Sequence, residues 1–316
     1  MKKLILITLL LAIASCSSHS TTDASPESDA NIAAKNNADE IKIASWNIAW
    51  LGSHEYNKRT TDDYQQLAHY AKQLDADVIA LQEVESEYWA RKVFGNDYDY
   101  YFSTKDWVQR VGVAVKKSTG LKVIAKEYKA LDVGKVRHGM DLTLTKNDKT
   151  LHLLAVHLKS GCFAAPLDIN SVSAMPSTSV KEEKRKEACT KLSKQISPLE
   201  QWIDLHASQD AAYIVLGDFN RRFSQDIALQ YSEEKGLWQA LNDEAQEALW
   251  TPTATANSEC WGGYYKDYID HIIFSPKAKE DYVDASFEQL VFKPKYTKEL
   301  SRNLSDHCPI SIKLKL

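Results

Sequence analysis

The order of apolar and polar positions divides the chain into three stretches. Residues 4–13 are an apolar run interrupted by Thr8 alone, and residues 17–40 hold almost no large apolar side chain. From Ile41 to the end, short apolar segments alternate with polar ones. In that third stretch the last segment alternates strictly. Ile310, Ile312 and Leu314 share one parity and Ser311, Lys313 and Lys315 the other, as a strand with one face in a core requires. Residues 151–158 are instead apolar on both parities, which predicts a central strand over residues 151–157, covered on both faces. Further strands are predicted at residues 41–48, 77–81, 98–103, 111–116, 122–128, 140–145, 213–216 and 268–274. Helical spacing marks residues 62–74 and, through Ala188, Leu192, Ile196, Leu199 and Ile203, residues 181–206, where Pro198 predicts a kink or break. Many strands with interspersed helices predict an α/β domain over residues 41–316, built as two stacked sheets flanked by helices. No internal repeat interrupts it.

The first two stretches read differently. Lys2 and Lys3 precede the apolar run, and the small Ala14 and Ser15 lead to Cys16. A charged head, a short apolar middle and a small-residue end make an export signal, too short to stay as a membrane-spanning helix. The sequence Ile13-Ala14-Ser15-Cys16 resembles the lipobox of bacterial lipoproteins. That resemblance implies a signal peptide over residues 1–15 and a lipid on Cys16; a plain secretory signal cut nearby is the alternative. Ser17 stands where an inner-membrane retention signal would place Asp, so an exported lipoprotein of the outer membrane is expected. Residues 16–40 read as a flexible tether, whose random-coil span is roughly 25 to 30 Å.

The chain has 316 residues, 44% hydrophobic and 26% charged, ample for one large core. Without residues 1–15 it carries 37 basic and 43 acidic side chains, a formal charge of −6. A general attraction to polyanions is therefore excluded, and any phosphate must be held by local cations or a metal. With Cys16 assigned to lipid, Cys162, Cys189, Cys260 and Cys308 remain, an even number for an oxidising compartment. Pairing Cys162 with Cys189 and Cys260 with Cys308 closes two local loops; free thiols and, less readily given the absence of a C-x-x-C spacing, zinc are the other readings.

Polar residues recur around the predicted strands: Asn47, Glu83, His157, Asp218 and Asn220 where strands run out, Asp270 and His271 inside a Tyr and Ile run, and Asp306 and His307 just before the last strand. Singly, each is ordinary turn or cap chemistry. Together they offer hard-metal oxygen ligands, a water activator, a leaving-group acid and amide donors, the set that phosphoester hydrolysis needs. The ordered motifs S-W-N-I (45–48), L-Q-E-V (81–84), H-L-K-S (157–160), G-D-F-N (217–220), I-D-H-I (269–272) and S-D-H-C-P (305–309) resemble the endonuclease/exonuclease/phosphatase superfamily, whose fold is that of deoxyribonuclease I. The resemblance implies a four-layer α/β sandwich of two packed, mainly antiparallel sheets flanked by helices. It implies a metal region of Glu83 with Asn47 and Asp306 for Mg²⁺, with Mn²⁺ or Ca²⁺ as alternatives. It also implies a His307–Asp270 pair, Asp218 and Asn220 at the attacking water, and His157 across the scissile phosphate.

Arg137, Lys159, Arg221 and Arg222 flank these motifs and are candidates for phosphate contacts, while His271 reads as structural. Trp261, Tyr264, Tyr265 and Lys266 form an aromatic loop that could stack on bases. The leading expectation is an exported, monomeric nuclease acting on DNA, with RNA as a further substrate. A lipid or sugar-phosphate esterase and a non-catalytic surface binding protein are the alternatives. No protein partner is inferable.

Overall fold

The expected strands form, and their pairing explains why polar residues gather at one end. The computed structural model describes residues 39–105, 108–244 and 248–316. The expected signal peptide, the lipidated Cys16 and the tether up to residue 38 lie outside the described residues.

The first sheet runs β10 (Glu288–Gln289), β11 (Ile310–Lys315), β1 (Glu40–Leu51), β2 (Val78–Val84), β4 (Arg110–Lys116), β3 (Tyr98–Phe102). The second runs β5 (Lys122–Tyr128), β6 (Gly139–Lys146), β7 (Lys149–His157), β8 (Tyr213–Asp218), β9 (Asp270–Phe274). Each sheet contains one parallel pair, β1 with β2 and β7 with β8, and is otherwise antiparallel. A parallel pair needs a crossover, and here each crossover carries a helix, Thr61–Leu74 for the first and Val180–Ala207 for the second.

Three apolar layers hold the sandwich. Ile43, Val113, Leu142, Leu153, Leu216 and Ile312 fill the space between the sheets. Trp46, Leu67 and Leu81 pack the first sheet against its helices, and Leu154, Val156, Leu192 and Trp202 do the same for the second. Strand β7 therefore faces two cores: Leu151, Leu153 and Ala155 point between the sheets, Leu154 and Val156 toward the long helix. That is why its sequence is apolar on both parities.

The Thr61–Leu74 helix begins with a reciprocal capping box between Thr60 and Asp63. The Val180–Ala207 helix begins with Ser179 accepting the Glu182 N–H. It runs unbroken through Pro198, contrary to the expected break. Buried Leu192 and Leu199, Trp202 and Ile203 clamp both sides of the proline against the second sheet, which offsets the lost backbone hydrogen bond. Strand β9 starts at Asp270, two residues later than expected, β7 starts two residues earlier, at Lys149, and ends on His157 as expected, and β8 extends to include Asp218. The two-residue β10 and the short Glu87–Phe94 helix are too brief to leave a periodicity and were not expected. Both disulfides join the expected partners, Cys162 with Cys189 and Cys260 with Cys308. Among the described residues no helix is long and apolar enough to cross a membrane.

Candidate active site

Strand direction delivers the polar residues to one edge of the sandwich. The parallel strands β1, β2, β7 and β8 carry Asn47, Glu83, His157 and Asp218 at or near their C-terminal ends. The antiparallel neighbours β9 and β11 begin there, so Asp270 pairs in register with Asp218, and His307 lies just before Ile310. Irregular backbone then aims the side chains. The β1–β2 ladder shifts register between Asn47 and Leu51, and the β2–β4 ladder between Gln82 and Val84. At these bulges Ala49, Trp50 and Glu83 adopt left-handed φ values of 43°, 61° and 59°, conformations that cost side-chain-bearing residues free energy and cluster at functional sites.

Asp218 is the hub. It is fully buried, takes the Asn47 Nδ2–H at 3.0 Å and the Asn220 backbone N–H at 2.8 Å, and lies 3.4 Å from His157 Nε2 and 3.8 Å from His307 Nε2. Burial pushes its carboxyl up to about 7, with Asp270 adding to the rise and His307 and the two amides opposing it. His307 Nδ1 is 2.7 Å from Asp270 Oδ2. Burial opposes a charge on this imidazole, yet the neighbouring Asp270 and Asp218 carboxylates outweigh it and hold the ring well above its ordinary range. Ser305 braces the motif, donating to the Asn47 carbonyl at 2.6 Å and accepting the His307 N–H at 2.9 Å.

His157 is in the opposite state. Its Nε2 accepts from Arg137 Nη2 at 2.5 Å, which requires a ring with no proton on that nitrogen. Burial, and then the positive charges of Arg137, His307 and Lys159, hold it well below the usual histidine range.

Glu83 accepts the Trp50 N–H at 3.1 Å and the Gln109 amide at 2.9 Å. Burial raises its carboxyl; Arg137 draws it back, and Asp306 pushes it further up. The Glu83 carboxylate, the neighbouring Asp306 carboxylate and the Asn47 amide oxygen, which here accepts the Ala49 N–H, are oxygen donors of the kind a hard divalent cation takes. Asp218, Asp270 and His307 also bring ligand atoms within 4.8 Å of one another, and Asp270 Oδ1 is a buried oxygen with no hydrogen-bond partner. The residues present thus fit a divalent metal.

The expected phosphate ligands separate. Arg137 reaches the site, wedged between His157, Glu83 and Asp218, with its Nε buried and without a hydrogen-bond partner. Arg222 lines the cleft, its guanidinium over the Phe163 ring. Lys159 turns away, its Nζ on the Ser160 carbonyl, and lines an adjoining recess. Arg221 must be corrected. It is wholly buried, its guanidinium spent on Asp226 and on the carbonyls of Cys162, Ala165 and Lys235, so it pins loops and has no donor for substrate. His271 faces away from Asp270 into the core, between Thr253 and the Arg221 carbonyl and stacked on Phe223. Tyr264 and Tyr265 line the cleft, the first stacked on Tyr296 with ring centroids 4.0 Å apart.

Arg59 and Gln109 carried no motif and were not anticipated. Arg59 donates to the carbonyls of Ile48, Ala49, Trp50, Arg302 and Asn303, binding the β1 bulge to the loop before Asp306. Burial lowers its pKa to about 10, despite nearby acidic groups.

These residues surround a cleft of about 740 Å³ lined by Glu83, His157, Asp218, Asp270, Asp306 and His307. The Endonuclease/Exonuclease/phosphatase family profile matches residues 44–307, and the chain belongs to that family, a phosphoester hydrolase on a deoxyribonuclease I-like fold. Among solved structures, humanized D. rerio TDP2 carrying 14 mutations is 19% identical, covers 88% of this chain and 100% of its own, and superposes with a TM-score of 0.56. D. rerio TDP2 complexed with single strand DNA product is 20% identical, with 88% and 99% covered and a TM-score of 0.53. The AP endonuclease LMAP from Leishmania major is 14% identical, with 93% and 91% covered and a TM-score of 0.55. A search of curated proteins returned no match.

Proposed function

We propose that the protein is a divalent-metal-dependent phosphodiesterase that hydrolyses nucleic acid, DNA in preference to RNA, outside the cytoplasm. In this reading it is a monomer tethered to the outer membrane through lipidated Cys16. The observation that carries the chemistry is the convergence of His157, from the second sheet, and His307, from the loop before β11 of the first, 3.4 and 3.8 Å from the same Asp218 oxygen. A tetrahedral phosphate seated over Asp218 meets an imidazole on each flank. Nucleic acid is supported by the neighbours of the same fold, one of them a complex with single strand DNA product and another an AP endonuclease.

Asp218, oriented by Asn47 and Asn220, holds the attacking water and accepts its proton; a carboxyl raised to about 7 by burial is basic enough to do so. His307 keeps its proton through Asp270 and donates from Nε2 to a phosphoryl oxygen. Arg137 moves from His157 to the incoming phosphate, which frees His157 Nε2 to carry the ring's proton and donate a hydrogen bond to the leaving oxygen. That oxygen departs as an alkoxide and takes a proton from solvent, while Asp218 returns the water's proton to solvent. Glu83 and Asp306, with Asn47, would hold the metal, which supplies charge neutralisation at the phosphoryl oxygen.

The test is incubation of the protein with plasmid DNA, RNA, sphingomyelin and a bis-aryl phosphodiester, with and without chelator. Nicking of plasmid that chelator abolishes is the expected result. Hydrolysis of sphingomyelin with plasmid left intact would replace this reading by the lipid-phosphate one.

A further inference from the structure

The chain is acidic overall, yet two recesses beside the catalytic cleft are lined by cations and by no acid. The first, of about 340 Å³, opens behind Arg137 and is lined by Lys135, Lys159 and Lys191 among others. The second, of about 480 Å³, is lined by Lys159, Lys181, Lys184, Arg185 and Arg222. Lys159 belongs to both, and Ser160, Phe163 and Arg222 are shared by the second recess and the catalytic cleft. The second recess therefore adjoins both the cleft and the first recess through shared walls.

The long helix is patterned to build this track. Lys181, Lys184, Arg185 and Ala188 fall at positions i, i+3, i+4 and i+7 and line the recess, whereas Glu182, Glu183 and Glu187 do not. Among the described residues Lys181, Lys184 and Arg185 have no salt-bridge partner, while Glu182 is bound to Thr178 and Glu187 to Lys191. Cys162–Cys189 fastens this helix to the loop that follows His157, so the cations stand at a fixed place beside the site. At the junction Lys159 is crowded by like charge: burial, then Arg137 and Lys191, hold its ammonium below the usual range. Arg137 keeps a buried, unpartnered Nε–H between the cleft and the first recess. Among the described residues Lys181, Lys184 and Arg185 thus form a row of like charges without salt bridges, which favours occupation by anions, whereas Arg137 is already drawn to Glu83 and Asp218.

We propose that this track, from Arg137 through Lys159 to Lys181, Lys184 and Arg185, binds successive phosphates of a polynucleotide strand flanking the scissile one. The inference rests on the nucleic-acid reading above and names the surface that makes the substrate a polymer. A sugar phosphate has too few phosphates to reach the second recess. An anionic membrane would be met by a convex patch, whereas these cations line recesses, the second of which shares a wall with the cleft.

The experiment measures binding of a fluorescein-labelled oligothymidine to the full chain by anisotropy, in chelator so that nothing is cut, across a salt series. Lys181→Gln/Lys184→Gln/Arg185→Gln is compared with Lys122→Gln/Lys146→Gln/Lys149→Gln, an equal charge loss at the end of the second sheet opposite His157. The track variant should bind roughly tenfold more weakly at ~0.1 M salt, and its log–log salt slope should be shallower by about 2, since each phosphate contact contributes about 0.7 to the slope on single strands. The opposite-end variant should stay within about twofold of wild type in this assay, because eight residues of β7 separate Lys149 from His157, roughly 25 Å, and exposed charges more than a Debye length of ~10 Å away are screened. Equal weakening by both variants would overturn the track in favour of net charge. Loss of binding to phosphatidylglycerol vesicles, with oligothymidine affinity unchanged, would overturn it in favour of a membrane. Wild type that hydrolyses the bis-aryl diester yet neither binds nor cuts any polynucleotide would sink the nucleic-acid reading itself, a result distinct from either.

Discussion

The two walls of the cleft present the same side chain in opposite states. On the first sheet, His307 stands before β11 with Asp270 at its Nδ1; on the second, His157 ends β7 with Arg137 at its Nε2. The His157 ring is buried and the His307 ring largely so, and both face Asp218. Burial favours the neutral form in each, so the second neighbour decides: a carboxylate keeps His307 charged, a guanidinium keeps His157 neutral. Each wall also has its own brace. Cys260–Cys308 fixes the residue after His307, and Cys162–Cys189 fixes the loop after His157.

Removing the imidazoles should have the largest effect. His307→Ala is expected to lower kcat/KM on plasmid DNA by roughly 10³-fold or more, and His157→Ala by roughly 10² to 10³-fold, with melting temperatures close to wild type. Full activity in both variants would show that neither wall acts on the phosphate. Next come the braces. For loops separated by 27 and 48 residues, chain entropy predicts losses of roughly 3.5 kcal/mol for Cys162→Ser/Cys189→Ser and 4 kcal/mol for Cys260→Ser/Cys308→Ser in urea unfolding. An unchanged unfolding midpoint in either would mean that wall holds its shape without the bond. Asp270→Asn is a finer cut, since it keeps a polar partner for His307 and deletes the charge. It should reduce kcat about 10²-fold with little change in KM. Without Asp270 the raised His307 pKa falls toward its ordinary value, so activity on the alkaline side should be lost at lower pH than in wild type. An alkaline limb that does not move would assign it to another group.

Much of this arrangement was legible because the chemistry sits in short contiguous motifs at strand ends, where a six-residue window holds both the apolar run and the polar stop. Asn47, Glu83, His157, Asp218, Asp270 and His307 all fall in such windows, and the fold brings them to one edge. What escaped was decided by distant partners. Arg221 and Arg222 are neighbours in one motif, yet Asp226 and three loop carbonyls turn the first inward while the second lines the cleft. Arg59 binds carbonyls from residues 48–50 and 302–303, partners no local pattern could join. Pro198 was misjudged because the packing of the helix on the second sheet outweighs a local propensity.

A third imidazole sharpens the contrast between the walls, because His271 follows Asp270 in β9 and faces the other way. It has no charged neighbour of either sign; Thr253, the Arg221 carbonyl and the Phe223 ring enclose it. Burial lowers its pKa to about 3, only partly opposed by its hydrogen bond to the Arg221 carbonyl. The unfolded chain binds this proton near pH 6.5, the folded protein only near 3. Below pH 6.5 the unfolded state therefore takes up more protons than the folded one, and stability falls as pH drops through the window from 6.5 to 3. By pH 5 this single group should account for roughly 2 kcal/mol of lost stability. His271→Gln can retain a hydrogen-bonding side chain and does not titrate. It should be less stable than wild type at pH 7, from the lost stacking on Phe223, and should lose about 2 kcal/mol less between pH 7 and pH 5 in urea unfolding. Parallel stability curves for the two proteins would show that His271 is not held neutral. They would remove the case in which burial alone, with no charged neighbour, fixes an imidazole's state.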